Sequence, residues 1–71
     1  MRGTIEGITG GPMQGVVQLV IRTEDGELEH VTCEAAPTYR ALAAAFEGAY
    51  IGQEIIYTVD DYGVLSGIEP A

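Results

Sequence analysis

The sequence predicts a small, mainly β domain with element order β-β-β-α-β-β, and three observations carry that prediction. Apolar and polar residues alternate over Val16 to Thr23 and again over Gln53 to Asp60, the period of a strand with one buried face. Turn-forming clusters rich in Gly, Pro and Asp punctuate the chain between such runs. A single alanine-rich stretch with helical spacing, Thr38 to Glu47, stands after three of the strands and before two more.

With 71 residues the chain forms one domain, residues 1–71, near the lower size limit for independent folding. A domain of that size buries only about 60% of the surface its unfolded chain exposes. Small domains often add disulfides, a metal or a partner subunit. Cys33 is the only cysteine, so no intrachain disulfide can form. One free thiol, the lack of an apolar run near membrane-spanning length and the lack of a leader pattern predict a cytoplasmic chain with no membrane association.

The first strand is expected over Thr4 to Thr9, with Gly3 and Gly7 on the same face as Ile5 and read as points of bending. Residues 10–15, Gly-Gly-Pro-Met-Gln-Gly, form a loop. They lack the following helix, lysine and hydroxyl residue of a phosphate cradle. In Val16 to Thr23, Val17, Leu19 and Ile21 share one face, while Val16, Gln18, Val20 and Arg22 make a mixed second face. Asp25-Gly26 then signals a hairpin into the third strand, Leu28 to Glu34.

Pro37 suits the first turn of the helix because its missing N–H is not needed there, and Thr38 is an alternative cap. Tyr39, Leu42, Ala43 and Phe46 form the apolar stripe. Gly48 is placed to end the helix in a left-handed conformation. In the fourth strand, Gln53 to Asp60, the residues Ile55, Tyr57 and Val59 face one way. Asp60 to Gly63 makes a tight turn with Gly63 left-handed, and Val64 to Glu69 is the fifth strand.

This element order resembles that of the oligonucleotide/oligosaccharide-binding fold, a five-stranded Greek-key barrel with its helix between strands three and four. The expected architecture is therefore an OB-like small barrel plugged by Tyr39, Leu42 and Phe46. An SH3-like barrel, or an open sheet with one helix packed on it, is the alternative. The likeness is one of element order alone, with no family motif behind it.

Function does not follow from that fold, since such barrels host unrelated activities. Eleven Asp and Glu stand against three arginines, Arg2, Arg22 and Arg40, and the formal net charge is -8. That field repels phosphate, so direct nucleic-acid binding is disfavoured. Single-strand binders also present aromatic rings on the sheet. Here Tyr39, Phe46, Tyr50, Tyr57 and Tyr62 all lie outside the first three strands.

His30 and Cys33, three apart on a strand, point to opposite faces and form neither a ligand pair nor a nucleophile and base. Cys33 is read as a small buried hydrophobe beside Val31, and His30 as a solvated residue. Asp60 and Asp61 are explained by turn chemistry. No catalytic, cofactor or metal set is visible, and the expectation is a non-enzyme without cofactor.

What remains is an acidic hairpin, Glu24, Asp25, Glu27 and Glu29. It reads either as a solvated tip or as a landing site for Lys and Arg of a protein partner. Tyr62, at the last turn, is the one aromatic placed to join a binding rim. The favoured expectation is an interaction module acting by protein-protein contact on a basic partner. Self-association as a homo-oligomer is expected as well, from Val16, Val20 and Ile56 on mixed faces. An acidic mimic of nucleic acid, and a small ligand-binding barrel using the first loop and Tyr62, are the alternatives.

Overall fold

The computed structural model describes residues 1–10 and 14–71. Five strands, β1 (Arg2–Thr9), β2 (Val16–Thr23), β3 (Leu28–Glu34), β4 (Glu54–Val59) and β5 (Leu65–Pro70), enclose one helix in sequence, α1 (Ala35–Phe46). The strands form one sheet of order β3-β2-β1-β4-β5 with every neighbouring pair antiparallel. One parallel bridge among the described residues, Thr32 to Val64, joins the edge strand β3 to the residue just before the other edge strand, β5. The mainly β order read from the sequence is therefore present, in a sheet that hydrogen bonding does not close. Of the loop expected over residues 10–15, residues 11–13 lie outside the described residues.

The β2–β3 hairpin forms as its Asp-Gly turn requires. Gly26 takes a φ of 85° and donates its N–H to the Thr23 carbonyl at 2.9 Å, while the Thr23 N–H reaches the Glu27 carbonyl at 2.8 Å. Pairing then runs without interruption from Arg22 and Leu28 to Val16 and Glu34. A like turn joins β4 to β5. The Asp60 carboxylate accepts the Tyr62 and Val64 N–H groups at 2.8 and 3.0 Å, and Gly63 is left-handed at φ 78°.

β1 begins at Arg2, earlier than the alternation suggests, because Arg2 and Gly3 pair with Ile56 and Ile55 of β4. The same strand pairs with β2 along its length, with a register shift between Ile5 and Gly7. That bulge at Glu6 corrects one expectation. An extra residue reverses the facing of the strand beyond it. Ile8 therefore turns inward opposite Leu19, and Gly7 lies opposite Val20 on the outer face instead of sharing a face with Ile5.

The core is made by the inward faces: Ile5, Val17, Leu19, Ile21, Val31, Cys33, Ile55 and Tyr57 from the sheet, with Ala35 and Leu42 from the helix. Helix α1 starts at Ala35, three residues before the stretch legible in the sequence. Glu34 occupies the cap position without a side-chain capping bond, and the Ala35 N–H goes to the Gly15 carbonyl at 3.1 Å. Pro37 is thus the third helical residue, where its lack of an N–H still costs no intrahelical bond. The buried stripe is Ala35, Thr38 and Leu42, with Tyr39 and Phe46 half-buried against the core. Ala43, expected inward, is exposed, because the earlier start centres the stripe on 35, 38 and 42. Glu47 ends the helix at φ 53°, its N–H bonded to the Ala43 carbonyl, and Gly48 comes next at φ 89°.

Candidate acidic groove

The hairpin tip, the start of β1 and the middle of β4 come together at one end of the sheet. Tyr57 follows Ile56, which pairs with Arg2, and Tyr57 N–H and O are joined to Met1 O and N at 2.7 and 2.8 Å. On the other side Gly3 pairs with Thr23, which brings the β2–β3 turn alongside. Between them lies a groove of about 360 Å³ lined by Met1, Arg2, Thr23, Glu24, Asp25, Glu27, Glu29 and Tyr57. All four acidic residues singled out in the sequence line this one concavity.

The groove has a polar rim and a partly apolar floor. Met1 is half exposed there, while Tyr57 is almost fully buried and offers its hydroxyl to Glu29 Oε2 at 3.2 Å. The nearby cations are engaged elsewhere. Arg2 Nε lies 3.7 Å from Glu54, and Arg22 donates to Glu6 at 2.7 Å and to the Gly26 carbonyl at 3.0 Å. Arg22 thereby braces the turn that carries the acids without neutralising them. The four carboxylates share the groove with two cationic residues: Arg2, paired outside it with Glu54, and Met1, whose α-ammonium donates to the Tyr57 carbonyl.

Tyr62 does not join them: it is 92% exposed at the β4–β5 turn and lines no part of the groove. Tyr57 takes the place expected of an aromatic, and Met1 and Arg2 complete the walls. A tyrosine on the inner face of a strand must find a partner for its hydroxyl. That signal was present in the alternation of Ile55, Tyr57 and Val59, but the partner, 28 residues away, was not. Cys33 is buried on the inner face and His30 exposed on the outer one, as their spacing requires. The Cys33 thiol donates weakly to the Val17 carbonyl at 3.7 Å.

Burial, foremost, then the charge of Glu29 and the hydrogen bond to it hold the Tyr57 phenol above its ordinary value of 10.0. The folded chain thus binds this proton more tightly than the unfolded chain does. Stability linked to Tyr57 is whole below pH 10 and is lost as the pH rises through the folded-state value. Urea unfolding of the wild type across this range, beside Tyr57→Phe, is expected to show an alkaline loss that shrinks in the variant. An equal loss in both would assign the effect to other groups; burial raises the Tyr39 phenol as well.

No helix among the described residues is long and apolar enough to cross a membrane. Comparison of the chain with protein-family models, with curated proteins and with solved structures found no match.

Proposed function

We propose that this chain is a non-enzymatic interaction module whose acidic groove receives a Lys or Arg side chain of a protein partner in the cytoplasm. The observation that carries this reading is the convergence of Glu24, Asp25, Glu27 and Glu29 on one groove whose floor includes Met1 and Tyr57. A long basic side chain buries its aliphatic stem on apolar surface while its charged head seeks carboxylates. One exposed ion pair is worth only ~0.2–1 kcal/mol. Four carboxylates around one cavity act on the same cation, which is what makes the groove a better receptor than any single acid.

The acids elsewhere support this reading over a nucleic-acid mimic. Glu6 and Glu54 are paired to arginines and Asp60 is spent on its turn, so these three do not add free carboxylates to a phosphate-like row. Self-association has weaker support. Val16, 63% exposed, and Ile56, 37% exposed, stand far apart. Ile56 is level with the Thr23 end of β2 and Val16 is at the other end, roughly 23 Å away at about 3.3 Å per residue.

As to architecture, we propose that the sheet curls into an OB-like barrel. The support is its strand order, the bulged β1 shared between β2 and β4, the parallel Thr32–Val64 bridge and the helix between β3 and β4.

The test of the groove is a titration with Nα-acetyl-arginine amide, with Glu24→Gln/Glu27→Gln as the control. The wild type is expected to bind saturably and to weaken with salt, since these are exposed charges. The double variant is expected to lose most of that binding at unchanged urea midpoint.

A further inference from the structure

We propose that the seam between β3 and β5 is a gate, at which the turn Asp60–Val64 and the start of β5 swing away from β3 while the rest of the sheet stays paired. Neighbouring strands elsewhere are joined by runs of paired residues, such as Val16–Glu34 through Arg22–Leu28 between β2 and β3. Between β3 and this end of the sheet the one backbone bridge among the described residues is Thr32–Val64, just before β5, and β3 and β5 otherwise lie near each other without pairing. Regions with few paired backbone groups open locally at a free energy well below that of global unfolding.

Val64 has two tethers of different origin. It bridges to Thr32, and its N–H is held by the Asp60 carboxylate at 3.0 Å while its carbonyl accepts the Asp60 N–H at 2.8 Å. Asp60 therefore fixes the turn that presents Val64 to β3. The pairing of β5 with β4 shifts between Thr58 and Val59, next to this turn, so the ladder is already interrupted where a hinge is needed. Cys33 follows Thr32 in β3 and is 1% exposed, its thiol against the Val17 carbonyl, while Leu65, adjacent to Val64, packs against the same core. Opening the gate uncovers Cys33, the chain's one thiol, which serves as its reporter.

The experiment is labelling of Cys33 with Ellman's reagent in the folded, full-length chain, as a function of urea. The expected result is an opening whose urea dependence is under roughly half that of global unfolding, because less surface is exposed. In Asp60→Ala the labelling rate is expected to rise about tenfold, as befits loss of a charged acceptor for two N–H groups. A wild-type slope equal to that of global unfolding would overturn the gate, and this holds even where Asp60→Ala does not fold. A shallow slope with no acceleration in a folded Asp60→Ala would overturn its placement at this seam.

Discussion

Leu42→Ala is expected to destabilise the chain by about 2–5 kcal/mol, the cost of deleting a fully buried leucine and leaving a cavity. Leu42 is 1% exposed and is the one large helix side chain among the fully buried residues described. Its fully buried helical neighbours, Ala35 and Thr38, are small, and Tyr39 and Phe46 are already packed against the core, so the space is left at best partly filled. For 71 residues the total stability is expected to be about 4–10 kcal/mol. The variant would thus lose much of its margin. A urea or thermal melt followed by circular dichroism checks this. A change under about 0.5 kcal/mol, the scale of a surface substitution, would show that α1 is not pinned to the core through Leu42.

Gly3→Ala is the second large effect, and it arises from crowding instead of a void. A Cβ at Gly3 would collide with Ile21 Cγ2 and stand 2.8 Å from the Arg22 carbonyl oxygen. The side chain of Ile21 is fully buried, and the carbonyl belongs to the paired β1–β2 ladder, so neither can retreat cheaply. Overpacking of this kind costs typically about 1–3 kcal/mol. The effect is steric, not conformational. Gly7→Ala is the matched control, because a Cβ there meets nothing within 4 Å. Equal melting points for the two variants would contradict the account of β1 lying close over Ile21.

The contrast between Gly3 and Gly7 also marks how far the sequence could be read. Both glycines alternate with Ile5, and period-two reasoning put all three on one face. The bulge at Glu6 separates them; Gly7 signalled a bend there, but not that the bend inserts a residue and reverses the facing. Local chemistry was legible where it is dictated by single residues. Asp25-Gly26 turned as expected, Gly63 took its left-handed place, and Cys33 and His30 took opposite faces. The start of α1 was not legible, because its first N–H is satisfied by Gly15 across the fold and not by a capping side chain.

The candidate site shows the same division. Glu24, Asp25, Glu27 and Glu29 stood out because they crowd one hairpin. That they face a concavity depends on Met1 and Tyr57, which reach them only through the pairing of β1 with β4. Tyr62 drew attention as an exposed aromatic at a turn, yet it stands outside the groove. Tyr57, inward and nearly buried, contributes the hydroxyl that meets Glu29.

The measurement that tests the central claim most directly is a residue-by-residue map of amide chemical shifts as Nα-acetyl-arginine amide is added. The groove account predicts saturable shifts confined to Thr23 through Glu29 together with Met1, Arg2 and Tyr57, diminishing as salt is raised. Shifts spread evenly over Glu34, Glu47, Asp61 and Glu69 would contradict it, since the arginine would then answer to net charge alone.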